Sequence, residues 1–241
     1  MTRALADGYA AGLVGVPQAG PGVCRRCRGP GRGGLCTSCR RIPGLLDAVV
    51  PISWSVAGSP ISLELRRYKD DPSEAARSEA TRGLGAVLER FLRGHEACVA
   101  AAAGVGAFAV VTVVPARATR VGARGHLAAL VRGCPSVRAR MRRALVPGGG
   151  AAPARRFCPE RFRSEVALHG EAVLLIDDVW TSGASAQSAA CALRRAGAGR
   201  VALVVIGRHV HPTPGGTGLE WAASTPFDWS RCAVHPRPLR G

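Results

Sequence analysis

Short apolar runs alternate along the chain with longer segments in which apolar residues recur at helical spacing. The short runs are rich in branched side chains, which favours buried strands over helices. This pattern predicts strands at 48–56, 108–114, 172–177 and 201–207. It predicts helices at 72–93, begun by Asp70 or Asp71, near 126–132, at 135–145 and at 184–196. Strands that alternate with helices form parallel sheets, so we predict an α/β fold with a parallel sheet flanked by helices on both faces.

The strand predicted at 172–177 leads into the most informative segment of the sequence. Asp177 and Asp178 stand where this strand ends, and they are followed by a loop of hydroxyl-bearing residues with one glycine and then by a helix. Free N–H groups in such a loop and the positive end of the helix dipole favour a phosphate. The two acids would repel a phosphate, so we expect them to bind a hydroxylated group or a metal ion. A sugar diol beside a 5′-phosphate satisfies both halves of the segment.

A simpler interpretation of this segment is a helix capped by Thr181 or Ser182. That interpretation explains the hydroxyls but not two adjacent acids on an apolar strand, where unpaired charge is costly. Other nucleotide motifs fit less well. The sequence has no G-x-x-x-x-G-K-[ST], and its G-x-G-x-x-A match at 104–109 precedes a strand instead of following one.

Two cysteine pairs near the N-terminus predict a metal site. Each pair follows the C-x-x-C spacing, eight residues separate the pairs, and the cysteines are Cys24, Cys27, Cys36 and Cys39. Four thiolates hold Zn²⁺ in a closed, structural tetrahedron. Two disulfides are the alternative, but the other cysteines, at 98, 134, 158, 191 and 232, are too scattered for an oxidised framework. We predict a structural Zn²⁺ that supplies most of the folding energy of this glycine-rich segment.

The segment at 173–185 resembles the phosphoribosyl pyrophosphate (PRPP) loop of type I phosphoribosyltransferases. With a cysteine quartet ahead of it, the chain resembles the ComF family, named for bacterial competence. Shorter segments that carry the resemblance lie at 65–69, 113–125 and 161–162. The resemblance implies a zinc module at 1–43, a phosphoribosyltransferase-like domain at 44–211 and a C-terminal tail at 212–241.

The resemblance also implies a role for each residue of the ligand site. In the family the paired acids bind the ribose 2′ and 3′ hydroxyls, which implies Asp177 and Asp178 here. The loop around the 5′-phosphate would consist of Thr181, Ser182, Gly183, Ala184 and Ser185. The candidates for the pyrophosphate end are Lys69, Arg117, Arg120 and Arg124. Mg²⁺ would accompany PRPP, and a nitrogen nucleophile would displace pyrophosphate from C1 of the ribose.

Composition extends this picture to possible partners and location. The 241 residues suffice for one domain with a small appendage, and the net charge is +17, with Lys69 the only lysine. An arginine surface attracts phosphates, including those of single-stranded DNA, and we expect the predicted basic helix at 135–145 to be separate from the PRPP-like loop. The uncharged run at 97–114 contains two glycines and is not expected to span a membrane. Reduced cysteines and the lack of an export signal predict a cytoplasmic protein.

Two functions from different classes are compatible with these features. One is a phosphoribosyltransferase that uses PRPP, Mg²⁺ and a nitrogen acceptor. The other is a binding protein that senses a phosphoribosyl ligand or handles single-stranded DNA, although aromatic residues are only 5% of the chain and offer few stacking platforms. The acceptor and the oligomeric state are not defined by the sequence. In the tail, Cys232 and His235 are possible metal ligands whose spacing alone predicts no site.

Overall fold

A computed structural model describes residues 3–31, 34–116, 125–150, 153, 155–211 and 226–235. Within these ranges the helices are α1 (Arg3–Ala10), α2 (Thr37–Arg40), α3 (Pro60–Asp70), α4 (Glu74–Ala102), α5 (His126–Arg132), α6 (Pro135–Arg138) and α7 (Ala184–Arg195). The strands are β1 (Ala48–Val56), β2 (Val110–Val113), β3 (Leu145–Pro147), β4 (Phe162–Ser164), β5 (Ala172–Trp180) and β6 (Arg200–Val210).

Four of the strands form a parallel sheet in the order β1-β6-β5-β2, and β3 and β4 form a separate antiparallel pair. In the sheet, Ile176 of β5 lies opposite Val113, the last residue of β2. β5 nevertheless continues to Trp180, beside β6. The end of β5, which carries Asp177 and Asp178, therefore extends beyond its neighbour β2, and no strand of the described residues pairs with it on that side.

Helices cover both faces of the parallel sheet. Because successive side chains of a strand point to opposite faces, neighbouring residues of β5 belong to different apolar clusters. Leu174 packs in one cluster with Leu88 of α4, whereas Leu175 packs in the other with Leu193 of α7. The α/β class and the parallel sheet are thus confirmed.

The first half of the fold contains three helices that the hydrophobic pattern did not predict, namely α1, α2 and α3. Helix α3 follows β1 directly, with Ser59 as its N-cap and Pro60 in its first turn. The Ser59 hydroxyl accepts a hydrogen bond from the N–H of Ser62 at 3.4 Å. Such a cap with a following proline is a typical start signal for a helix.

Helix α4 corresponds to the helix predicted at 72–93, with different ends. It is capped by Ser73, whose hydroxyl accepts from the N–H of Ala76 at 3.3 Å, and not by Asp70 or Asp71. It is 29 residues long, ends in a run of three alanines at 100–102, and stops before Gly104, which has a φ of +72°.

The prediction of a basic helix at 135–145 is wrong. Only α6 is helical there, and the chain then runs beside the free edge of β2. The N–H of Val111 donates to the carbonyl of Arg140 at 2.9 Å, and the N–H of Arg142 donates to the carbonyl of Val111 at 2.8 Å. Pairing with the open backbone groups of an edge strand replaces the helical hydrogen bonds that the sequence pattern suggested.

None of the helices in the described ranges is both long enough and apolar enough to cross a membrane. The uncharged run at 97–114 is divided between the last residues of α4, a turn and strand β2. This division agrees with the expectation that the run is not a membrane span.

Candidate functional site

A cleft of about 920 Å³ opens where β5 extends beyond β2. One wall consists of the end of β5, the loop at 181–183 and the start of α7. The other wall includes the end of α3, the start of α5 and the segment at 141–147. Ligands of parallel α/β sheets bind beyond the carboxyl ends of the strands, and this cleft has that position and a typical size for a small ligand.

Asp178 is buried in the floor of this cleft and is paired within the protein. Its Oδ2 accepts a hydrogen bond from the Tyr68 hydroxyl and forms an ion pair with the Lys69 ammonium group. Burial and the negative charge of Asp178 raise the pKa of Tyr68 well above its ordinary value, so this phenol remains protonated. The last turn of α3 thus brings a donor and a cation to the carboxylate, which reduces the cost of burying it.

Asp177, by contrast, has little internal compensation. Its Oδ1 accepts a hydrogen bond from the N–H of Asp178 at 2.9 Å. Burial and, second, the charge of Asp178 raise the pKa of Asp177 well above its ordinary value, an effect that Lys69 only partly opposes. A hydrogen-bond donor such as a sugar hydroxyl, or a cation, stabilises the ionised form of such a carboxylate more than that of an ordinary one.

The loop between β5 and α7 depends on a glycine. Gly183 precedes α7 with a φ of +83°, and a Cβ at this position would overlap the ring of Trp180. The Ser182 hydroxyl lies 3.3 Å from the N–H of Ala184, which begins the helix. Thr181 is exposed and Ser185 is half-buried, and all five residues from 181 to 185 line the cleft. The loop therefore presents hydroxyls and a helix N-terminus to the space beside the two acids.

Basic side chains line the cleft together with the acids. Besides Lys69, the lining contains four exposed arginines: Arg132, Arg142, Arg143 and Arg155. Of the residues predicted for a pyrophosphate end, Lys69 lies here and contacts Asp178, whereas Arg117, Arg120 and Arg124 lie outside the described residues. The cleft thus combines two carboxylates with several cations, a composition suited to a ligand that carries both hydroxyls and phosphates.

The arginines assigned to the predicted basic helix do not form one surface. Arg140 is bound to Glu96 through its guanidinium, with an Nη2–Oε2 distance of 2.9 Å. Arg142 and Arg143 instead line the same cleft as the loop at 181–185. The expectation that the four arginines 138, 140, 142 and 143 lie on a helix separate from the PRPP-like loop is therefore wrong.

The N-terminal cysteines form the second candidate site, here named the first metal cluster: Cys24, Cys27, Cys36 and Cys39. All four are buried, and their sulfur atoms lie within 4.8 Å of one another. The sulfurs of Cys27 and Cys36 are 3.8 Å apart, which is too long for a disulfide. Tetrahedral Zn²⁺ with Zn–S bonds of about 2.3 Å places its sulfurs about 3.8 Å apart. The residues therefore fit a four-thiolate zinc site, as predicted.

The thiols of the first metal cluster cannot all ionise without a cation. Hydrogen bonds from the other three thiols lower the pKa of Cys24, whereas hydrogen bonds to the other three raise the pKa of Cys39. The metal-free cluster thus keeps part of its protons, and a bound divalent cation would release them. All nine cysteines of the chain lie in the described ranges and none is in a disulfide.

The first metal cluster is joined to the cleft through Arg208 of β6. The Arg208 side chain is buried, and its Nε lies 3.3 Å from the sulfur of Cys27. Its Nη1 donates to the carbonyl of Trp180 at 3.3 Å. Trp180 in turn packs against Gly183. A continuous line of contacts therefore runs from the cysteine cluster to the loop that borders the cleft.

Sequence reasoning missed three features of these sites. Tyr68 is one, because its contact with Asp178 joins residues 110 positions apart. The position of Arg142 and Arg143 in the cleft lining is another, since the basic pattern predicted a helix there. Arg208 is the third, and an arginine inside an apolar strand was the available signal that it has a buried anionic or carbonyl partner.

No protein-family model matches this chain, and a search of curated proteins finds no match either. The functional assignment therefore depends on the motifs and on the geometry of the cleft and the cysteine cluster.

Proposed function

We propose that this chain is a phosphoribosyltransferase-like protein of the ComF type, located in the cytoplasm. In this proposal the cleft binds PRPP, or a related ligand such as ribose 5-phosphate, and transfers the phosphoribosyl group to a nitrogen acceptor. The first metal cluster holds a structural Zn²⁺, and Mg²⁺ accompanies PRPP.

The main support is the juxtaposition, in one cleft, of two carboxylates, a helix-initiating loop and several cations. Asp177 and Asp178 lie on the part of β5 that extends beyond β2, and the loop at 181–185 follows directly. A 5′-phosphate in the loop would place the ribose near the acids, because loop and acids are adjacent in the chain. The opposite wall would then receive the pyrophosphate on Arg142 or Arg143.

Each group has a defined task in the proposed reaction. The carboxylates hold the ribose hydroxyls, and the loop amides and hydroxyls hold the phosphate, so that C1 is fixed in orientation. Arginines of the opposite wall stabilise the charge of the departing pyrophosphate. Mg²⁺ bound with PRPP would neutralise part of that charge.

One observation favours the alternative of binding without transfer. Asp178 is already engaged by Lys69 and Tyr68, so a ribose hydroxyl must share or displace these partners. A sensing protein can use that exchange to move α3 when ligand binds. A role in single-stranded DNA handling has less support, since Arg140 is occupied by Glu96 and the predicted basic helix is absent from the described structure.

Calorimetry with ribose 5-phosphate, followed by an assay for pyrophosphate release from PRPP and Mg²⁺, tests the proposal. Binding together with release in the presence of a nucleobase or amine supports transfer. Binding without release from any acceptor supports sensing. Absence of binding to either ligand by zinc-loaded, folded protein overturns both.

The double variant Asp177→Asn with Asp178→Asn should weaken ribose 5-phosphate binding. Each lost charge-assisted hydrogen bond costs about 1.5–3 kcal/mol, or roughly ten- to hundredfold in Kd. Asp7→Asn on α1, outside the cleft lining, is the matched control and should bind like the wild type. Equal affinities of the double variant and the wild type would make the two acids purely structural.

A further inference from the structure

Four side chains from distant parts of the sequence meet at the second half of helix α4. His95 and Cys98 come from α4, and Cys232 and His235 come from the segment 226–235, here called the C-terminal segment. Their ligand atoms all lie within 4.8 Å of one another. On α4 the i, i+3 spacing places the two residues on one side of the helix, and a turn in the C-terminal segment brings its two residues together.

The imidazole of His95 is oriented as in a metal ligand. Its Nε2 lies 2.9 Å from the carbonyl of Trp229, so Nε2 carries the proton and donates to that oxygen. The unprotonated Nδ1 then faces the sulfur of Cys98 at 3.9 Å. A histidine that binds a metal through one nitrogen commonly donates its other N–H to a backbone carbonyl.

The second imidazole converges on the same sulfur. The Nδ1 of His235 lies 3.7 Å from the sulfur of Cys98, and the two imidazole rings are 5.9 Å apart and nearly perpendicular. In a tetrahedral Zn²⁺ site with bonds of about 2.3 Å to sulfur and about 2.0 Å to nitrogen, sulfur and nitrogen are about 3.5 Å apart. The observed separations are close to this value and longer than a strong hydrogen bond.

We infer that His95, Cys98, Cys232 and His235, here named the second metal cluster, bind a second Zn²⁺. Two thiolates balance the charge of the ion, and two sulfurs with two imidazole nitrogens are a typical donor set for zinc. Four protein ligands leave no position for a substrate, so the site is structural. Its effect is to fasten the C-terminal segment to α4.

The burial of the ligands suits this role. His95 and Cys232 are buried, Cys98 is half-buried and His235 is exposed. On the inner side, the ring of Phe91 lies 5.1 Å from that of His95. An ion can therefore enter from the side of His235 and is then shielded by apolar groups.

The metal content of tag-free, full-length protein tests the inference. Protein purified in a non-chelating reductant should contain two Zn²⁺ per chain, one for each metal cluster. The variants Cys232→Ser and His235→Ala should each contain one. Cys191→Ser, which alters a half-buried cysteine outside both clusters, should keep two.

Cobalt substitution separates the two clusters without relying on unfolded variants. Wild-type protein loaded with Co²⁺ should show the spectra of a four-sulfur site and of a two-sulfur, two-nitrogen site, and Cys232→Ser should lose only the second. One metal per chain in the wild type, unchanged in Cys232→Ser, overturns the inference. A disulfide between Cys98 and Cys232 in protein kept reduced would overturn it as well.

Discussion

The two clusters of metal-ligand residues differ in the length of chain that each one joins. The first metal cluster joins Cys24 to Cys39, four thiols within one short stretch, all of them buried. The second metal cluster joins α4 to a segment more than 130 residues away, with the exposed His235 as one ligand. A metal ion in the first would organise a local loop, whereas in the second it would hold two distant segments together.

The clusters also differ in their connection to the cleft. Arg208 bridges the first metal cluster to Trp180, which packs beneath the loop at 181–185. The described contacts of the second metal cluster lead instead to Trp229 and, through the carbonyl of His235, to Gln18. Loss of the first metal should therefore alter both stability and ligand binding, whereas loss of the second should alter stability alone.

The largest effect is expected for Cys24→Ser. This change removes one of four buried thiols and, with it, the proposed zinc, which would supply much of the folding energy of this loop. We expect loss of the first zinc and a destabilisation of about 3–5 kcal/mol, or a Tm lower by roughly 10 °C. Metal analysis and calorimetric melting measure both.

Cys191→Ser on α7 is the matched control for Cys24→Ser, since it makes the same chemical change at a half-buried cysteine outside the clusters. It should leave the zinc content unchanged. A Cys24→Ser protein that melts like the wild type would show that the loop is held by its packing on β6 and not by metal.

The next largest effect is expected for Arg208→Gln. Glutamine cannot span from the sulfur of Cys27 to the carbonyl of Trp180, so the line of contacts between cluster and cleft is broken. We expect a loss of about 1.5–3 kcal/mol in stability, since the hydrogen bonds involve a charged donor. Ribose 5-phosphate affinity should also fall several-fold, with the first zinc retained. An unchanged ribose 5-phosphate affinity by calorimetry would show that Arg208 does not couple the first metal cluster to the cleft.

A smaller effect is expected for His235→Ala. The remaining ligands would not retain the metal, and the C-terminal segment would lose one of its attachments to α4. We expect a destabilisation of about 1–2 kcal/mol and faster proteolysis after residue 226, because a detached segment is accessible to protease. Ribose 5-phosphate binding should be unaffected. A change in that binding would contradict the separation of the second metal cluster from the cleft.

The contrast between the clusters also explains what the sequence could predict. The spacing of Cys24 to Cys39 is local, so the motif alone predicted a metal site that the described structure fits. The strand, acids and loop at 173–185 were predicted for the same reason. His95 and Cys98 gave no signal, because their partners are far away in the chain and only the fold of α4 against the C-terminal segment brings them together.

The failed prediction at 135–145 has a related cause. Arginine and alanine favour a helix locally, but the hydrogen bonds between Val111 and the backbone of residues 140 and 142 come from the edge of a sheet formed elsewhere in the chain. Backbone pairing with β2 therefore outweighs the local helix propensity of this segment. The same pairing places Arg142 and Arg143 at the cleft, a position that the sequence pattern did not predict.

The smallest effect, and the only stabilising one, is expected for Asp177→Asn. Because burial raises the pKa of Asp177 in the folded protein, its ionised form costs stability at neutral pH. Asparagine keeps an oxygen to accept from the N–H of Asp178 and carries no charge. We expect a gain of about 0.5–1 kcal/mol at pH 8, both metals retained, and weaker ribose 5-phosphate binding.

The pH dependence distinguishes this explanation from a general improvement in packing. Below the ordinary pKa of an aspartate, about 4, both the folded and the unfolded wild type are protonated at this position and the variant has no advantage. The advantage should grow as the pH rises above that value and become constant above the raised pKa of the folded state. Melting curves of both proteins across this range test it. A gain that is the same at every pH, or that comes with loss of a zinc, would show that the charge of Asp177 is not its source.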